Sequence, residues 1–316
     1  MQQHARRLFC ASLLALPLLA AAAPLAWITN QGTHDVSVVD VAAGKVVATV
    51  KVGKAPAGIA VSTAAGKAFV TNPGEHTVSV IDLQRREVVD TFAAGQGAVG
   101  IAVSPDGRRV FVADWFGGRL LAFDGRTHRP TGSATVGAVP AGVSVTPDGR
   151  RVLVAVRDDN RVLVLDAATL REIARIAVGE HPFAVEVSPD GRWALALNVL
   201  SDDVTVIDLA TLKPHATLRV GRAPYGVAYS SDGARAFVTN QQGRSVSVID
   251  LAAMKVAATW TAPEYPEGIT VTAEGLVIVV SWMDDLLQVL DATSGQRRAQ
   301  VSTGGNPRSF GRFLQP

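Results

Sequence analysis

AFVTNPGEHTVSVIDL occupies Ala68–Leu83, and AFVTNQQGRSVSVIDL occupies Ala236–Leu251, 168 residues further on. Both ends of the phrase are kept and only its centre differs. Similar units begin at residues 26, 68, 110, 152, 194, 236 and 277, a spacing of 42 that shortens to 41 at the last step. Self-similarity at such a period is the mark of a repeat architecture in which each unit buries its apolar faces against its neighbours.

Every unit carries the same four segments. A short apolar run (AWIT, AFVT, VFVA, VLVA, ALAL, AFVT, VIVV) leads into a variable loop, and then comes a run ending in Asp, such as VSVID. A Val/Ala/Thr-rich run follows, then a turn of the G-x-x-P-x-G kind and a small-residue run such as GIAVS, closed by SPDGRR or a variant. Four short strands per unit of this length fit a β-propeller blade better than a helical solenoid. The near-continuous apolar runs suit strands buried on both faces. The expected fold is therefore all-β, a seven-bladed propeller of four-stranded antiparallel blades. The chain opens on the second strand of a blade and ends on an innermost-type segment at 306–314. That segment is expected to pair into the first blade and close the ring, leaving no free edge.

The phrases FVTN at Phe69–Asn72 and Phe237–Asn240 and WITN at Trp27–Asn30, followed by VSVID and SPDG, resemble the bacterial YVTN-repeat seven-bladed propellers. That family is related to the quinoprotein amine dehydrogenase propeller superfamily. The resemblance covers about residues 24–316 and implies the fold. It leaves function open, because such repeats serve binding proteins, surface-layer proteins, lactonase-like enzymes and non-catalytic oxidoreductase subunits. Haem nitrite-reductase propellers usually have eight blades, so a count of seven argues against that kinship.

The N-terminus reads as a leader. MQQHARR is basic, LFCASLLALPLLA apolar and AAA a small-residue cleavage stretch, so residues 1–23 are expected to be a signal peptide and 24–316 one propeller domain. The apolar run is short for a membrane span. Cleavage would remove Cys10, Arg6 and Arg7. The mature chain then has no cysteine and is neutral, with 28 basic against 28 acidic residues. Disulfides, thiolate metal sites and C-x-x-C-H haem attachment are excluded, and nucleic acid is not an expected partner. The expected location is periplasmic or extracellular.

Columns shared by all seven units are what a blade requires; columns that vary are free for chemistry. The strand-end Asp column (Asp40, Asp82, Asp124, Asp166, Asp208, Asp250, Asp291) and the SPDG tracts read as turn caps, not sites. Antiparallel alternation places the loops between second and third strands, and the blade-to-blade turns, on one face, here the upper one. The Asp-Gly hairpins lie on the lower face. Trp115, Phe116 and Trp282 are aromatic intrusions into otherwise polar upper loops. In the blade-to-blade turns one column at the mouth of the central channel runs Ala57, Val99, Ala141, Phe183, Tyr225, Glu267, Arg308, a one-sided change from small to large and charged. It points to a pocket at that entrance. Trp115, Phe116, Phe183, Tyr225, Tyr265, Trp282 and Arg157 are the expected ligand-binding residues.

His34 and His76 share a column in adjacent blades, and His181 lies on the same face. Imidazoles suit a divalent metal such as zinc, copper or iron, which makes the three a candidate metal site. The pairs Asp158-Asp159, Asp202-Asp203 and Asp284-Asp285 could hold calcium or form loop turns. The sequence has no G-x-S-x-G elbow, H-E-x-x-H, P-loop or dinucleotide fingerprint. The leading expectation is an exported, non-catalytic binding propeller holding a small molecule or a periplasmic protein on the upper face, accessory to a redox or metal-handling system. The alternative is a hydrolase or lactonase-like enzyme using His181, Glu267 and Arg308 on the same face. Single-stranded nucleic-acid binding by stacking ranks last, because it needs a positive groove.

Overall fold

The computed structural model describes residues 23–316; the segment read as a leader lies outside the described residues. Seven four-stranded antiparallel sheets form, with strands in sequence order from the axis outward. Blade one comprises Leu25–Asn30, Asp35–Asp40 and Lys45–Lys51, and its innermost strand is the C-terminal Leu314–Gln315. Blades two to seven span residues 59–93, 98–135, 140–177, 182–219, 224–261 and 266–302. No described helix is long and apolar enough to cross a membrane.

Second and third strands are buried almost throughout, because each blade is covered on both faces by its neighbours. Outermost strands such as Lys45–Lys51 and Lys255–Thr261 are largely solvated. Close approach at the axis restricts the innermost strands to small residues: a Cβ on Gly100 would collide with the Ala141 carbonyl of the next blade.

The repeated phrase owes its invariance to hydrogen bonding. Thr71 Oγ1 accepts from Gly58 N (2.8 Å) and donates to Val99 O in the next blade (2.8 Å). Thr239 does the same between Gly226 and Glu267 O. The following Asn is fully buried, and its amide donates to the third strand: Asn72 to Ser79 (2.9 Å), Asn240 to Ser247 (2.9 Å), Asn198 to Thr205 (3.0 Å). Thr joins blade to blade and Asn joins strand to strand.

Ring closure follows the expected route with a difference. Leu314–Gln315 pairs with Leu25–Ala26, but residues ahead of it form only isolated bridges, Asn30 with Pro307 and Gly58 with Phe310. Left-handed conformations at Asn306 (φ 50°), Ser309 (φ 51°) and Gly311 (φ 114°) break a continuous strand there. The segment instead serves two blades, donating Arg308 N to Thr29 O (2.9 Å) and accepting Ile59 N at Phe310 O (2.9 Å) and Val61 N at Arg312 O (2.8 Å).

The strand-end Asp column caps turns. Asp166 Oδ1 accepts from Ala168 N and Thr169 N, and Asp208, Asp250 and Asp291 repeat the pattern. These bonds hold Asp124, Asp166 and Asp208 below the usual aspartate value, led by the backbone N–H of Thr127, Thr169 and Thr211. In the hairpins the Ser104, Thr146 and Ser188 hydroxyls lead the same effect on Asp106, Asp148 and Asp190. With folded values below unfolded ones, this stabilisation is complete above the unfolded carboxylate range and is lost as pH falls through the folded values. Calorimetry is expected to show a melting temperature that is flat from about pH 7 to about pH 5 and falls progressively below about pH 4. A value unchanged down to about pH 2 would contradict this role.

Candidate functional site

The upper mouth of the channel is closed by its own side chains. Phe183 and Tyr225 stack with centroids 4.2 Å apart, and Phe310 lies 4.8 Å from Phe183. Trp115 from blade three tilts over Phe183 at 6.0 Å, and the Arg157 guanidinium covers Trp115 at 5.3 Å. Beyond Tyr225, Arg308 bonds its hydroxyl and reaches Glu267 with Nε (2.7 Å). Gln241 Nε2 donates to the second carboxylate oxygen of Glu267 (2.7 Å). One connected array thus runs Arg157–Trp115–Phe183–Tyr225–Arg308–Glu267–Gln241 across five blades and the C-terminal segment.

The electrostatics of this array follow from burial. Glu267 is 2% exposed, and desolvation pushes its carboxyl above the ordinary value against the pull of Arg308. Burial also opposes the charge on Arg308, but Tyr225 and Glu267 outweigh it and keep the guanidinium protonated. Burial raises the Tyr225 hydroxyl far beyond its usual range.

The structure therefore brings together Trp115, Phe183, Tyr225, Arg157, Glu267 and Arg308. At that entrance the enlarged side chains pack against one another across the mouth. Tyr265 and Trp282 form a separate pair over blade seven, 6.2 Å between centroids. Phe116 points outward from the loop tip, 73% exposed.

The three candidate histidines share a left-handed backbone conformation in different turns. Among the described residues no group of three or more His, Cys, Asp or Glu is placed to hold a metal ion. His34 and His76 (both φ 59°) and His181 (φ 53°) each occupy a left-handed turn position. Asn160, Asp202, Arg244 and Asp285 fill the His34 position in other blades, and Ala55, Val139, Ala223 and Tyr265 fill that of His181. Backbone geometry, shared whatever the side chain, puts these histidines where they are. No hydrogen bond joins His181 to the Arg308–Glu267 pair, whose partners are Gln241 and Tyr225. The acidic pairs serve loops: Asp202 accepts from Ala223 N (2.9 Å), Asp284 from Glu264 N (2.8 Å) and Asp285 from Asn306 N (2.7 Å).

A cavity of about 480 Å³ lies in the lower half of the channel and is bounded by Pro105, Pro147 and Pro189 of the Asp-Gly hairpins. Glu186, Tyr229 and Arg312 line it. Sequence reasoning passed over all three, although each departs from its column. Glu186 stands where other blades have Ala60, Ala102 and Ser144; Tyr229 and Arg312 stand where others have Val61, Val103 and Val145. Glu186 and Tyr229 lie on innermost strands and Arg312 on the C-terminal segment, away from the upper loops and channel mouth that carry the other candidate residues.

Two solved structures share the fold. The chain is similar to the Kuenenia stuttgartiensis hydrazine synthase (TM-score 0.74, 22% identity, covering 80% of this chain and 88% of that one). It is also similar to the dihydro-heme d1 dehydrogenase NirN in complex with DHE (TM-score 0.69, 18% identity, covering 92% and 75%). No curated protein matches the chain. The model of the cytochrome D1 heme domain matches residues 21–135 and 131–226, about two thirds of the sequence. A count of seven blades thus does not set the chain apart from this haem-domain family, contrary to what the count suggests by itself. The chain belongs to the cytochrome D1 heme domain family.

Proposed function

We propose that the chain is an exported, non-catalytic binding propeller whose upper rim docks a partner protein of a haem or redox system outside the cytoplasm. The observation that carries this is a set of three loop tips. Phe116, Leu200 and Met283 hold one position in blades three, five and seven, and they are 73%, 58% and 51% exposed. Gly32, Gly74, Asp158 and Gln242 hold it elsewhere. Exposed apolar side chains in a polar rim mark a contact surface, with aromatic residues as its anchors. A partner protein is favoured over a small ligand on this face because the mouth of the channel is filled.

The haem association comes from the family and from NirN, and export from the basic-apolar leader at 1–23. The channel of this chain does not suit a haem. Haem iron is held by His, Cys, Met or Tyr, and the cavity lining offers only Tyr229. The Tyr229 hydroxyl already donates to Glu186 O (3.0 Å), and burial raises its pKa well above normal. Adding haem to the purified protein is therefore expected to give no Soret shift of axial ligation by the channel. The hydrolase alternative is less favoured, since Glu267 is shielded from water and engaged by Arg308 and Gln241, and His181 does not bond to either member of that pair.

The test is photo-crosslinking in the native cell from positions 116, 200 and 283, against positions 148, 190 and 232 on the lower hairpins. Upper positions are expected to trap one common protein, and Phe116→Ser/Leu200→Ser/Met283→Ser to weaken its binding at least about tenfold. Equal trapping from both faces, or none, would remove the proposal.

A further inference from the structure

Arg312 reaches from the C-terminal segment across the lower channel to blade five, where Nε and Nη2 both bond Glu186 Oε1 (2.8 and 2.6 Å). The pair lies within the ring, yet Arg312 keeps 61% of its side chain open to the channel, and Glu186 keeps 18%. Neither Nη1 of Arg312 nor Oε2 of Glu186 has a hydrogen-bond partner among the described residues. Tyr229 braces Glu186 from behind through its backbone carbonyl. The remaining wall is mostly apolar, with Val185, Val227, Ile269 and Phe310 among its members, and Thr270 and Ser309 add hydroxyls to it.

We propose that the lower channel is a binding site for a small zwitterion with an apolar body, of the α-amino-acid or betaine class, recognised by Arg312 and Glu186 together. Its volume of about 480 Å³ falls within the usual range for small-molecule sites. Charge bookkeeping selects the class. A carboxylate alone that drew Arg312 away would leave Glu186, only 18% exposed, without its ion partner, and an ammonium alone that drew Glu186 away would leave Arg312 without its own. A zwitterion replaces both partners at once: its carboxylate takes the guanidinium and its ammonium takes the free carboxylate oxygen. The apolar wall then covers the body of the ligand. This site is on the opposite face from the docking rim and is independent of it.

The mature protein would be titrated calorimetrically with the twenty L-amino acids and glycine betaine, and with isovalerate and isopentylamine as carboxylate-only and ammonium-only probes. At least one zwitterion is expected to bind, and at least tenfold more tightly than either half-probe. Glu186→Gln/Arg312→Gln keeps the volume and neutrality of the channel, and it is expected to melt near the wild-type temperature while losing the zwitterion tenfold or more. Phe116→Ser, on the docking rim, is expected to bind it unchanged. Should the double variant fail to fold, Arg312→Lys, which keeps the charge but not the fork, is expected to weaken the zwitterion by a similar factor. The proposal is overturned if no zwitterion binds at 10 mM, if a half-probe binds as well as the zwitterion, or if the variants bind undiminished.

Discussion

Replacing Arg308 with alanine is expected to destabilise the protein by about 3–5 kcal/mol, because it leaves the carboxylate of Glu267 buried without its charge partner. For a chain of this size that is a fall in melting temperature on the order of 10 °C. The effect should depend on pH in a defined direction. Burial holds the folded pKa of Glu267 above its unfolded value. The cost of ionising it is therefore absent below the unfolded value and complete above the folded one. Removing Arg308 raises the folded value further, so the deficit of Arg308→Ala should narrow on acidification from about pH 7 to about pH 5. Glu267→Leu/Arg308→Met, which removes both charges, is expected to recover most of the loss. A single variant melting within about 2 °C of wild type would show that the closed mouth contributes little to the fold.

Deleting residues 306–316 is expected to be more damaging still. The segment supplies the innermost strand of blade one and covers Trp27, whose indole donates to Gln315 (3.0 Å) and whose backbone donates to Phe313 O (2.9 Å). Phe313 is fully buried, and losing that side chain alone costs about 3–5 kcal/mol. Together with the lost bonds to Thr29, Ile59 and Val61, the sum approaches the whole stability of an ordinary domain. The open ring would also expose an unpaired edge at Leu25–Asn30. Size-exclusion chromatography should show the truncated protein eluting as larger species than the wild type, and the cooperative thermal transition should be lost. A truncated protein that elutes like the wild type and melts cooperatively near its temperature would contradict the closure.

Much of the site was legible in part. Large residues at 183, 225, 267 and 308 were recognised as departures at the channel mouth, and four of the predicted binding residues do meet there. Their consequence was misjudged, since a column of bulky residues marks a filled space as readily as a lined one. His34, His76 and His181 were grouped because imidazoles on one face suggest a metal. Their shared left-handed backbone, which any of several residues adopts in sister blades, explains their placement without one. Glu186, Tyr229 and Arg312 were missed because attention stayed on the loops, although the same comparison of columns isolates them.

Blade number, strand order, ring closure and the capping role of the Asp column were determined by the amino-acid sequence by itself. The blade features are each written seven times, so every copy satisfies the same backbone donors and acceptors, and the innermost-type segment at 306–314 supplies the strand that the first unit lacks. Tertiary structure alone decided that Arg308 meets Glu267 and not His181, and that Arg312 meets Glu186, 126 positions away. The first contact joins the C-terminal segment to the blade just before it and the second to a blade far from it in sequence, and such long side chains find one another only once the ring has closed and packing has aimed them.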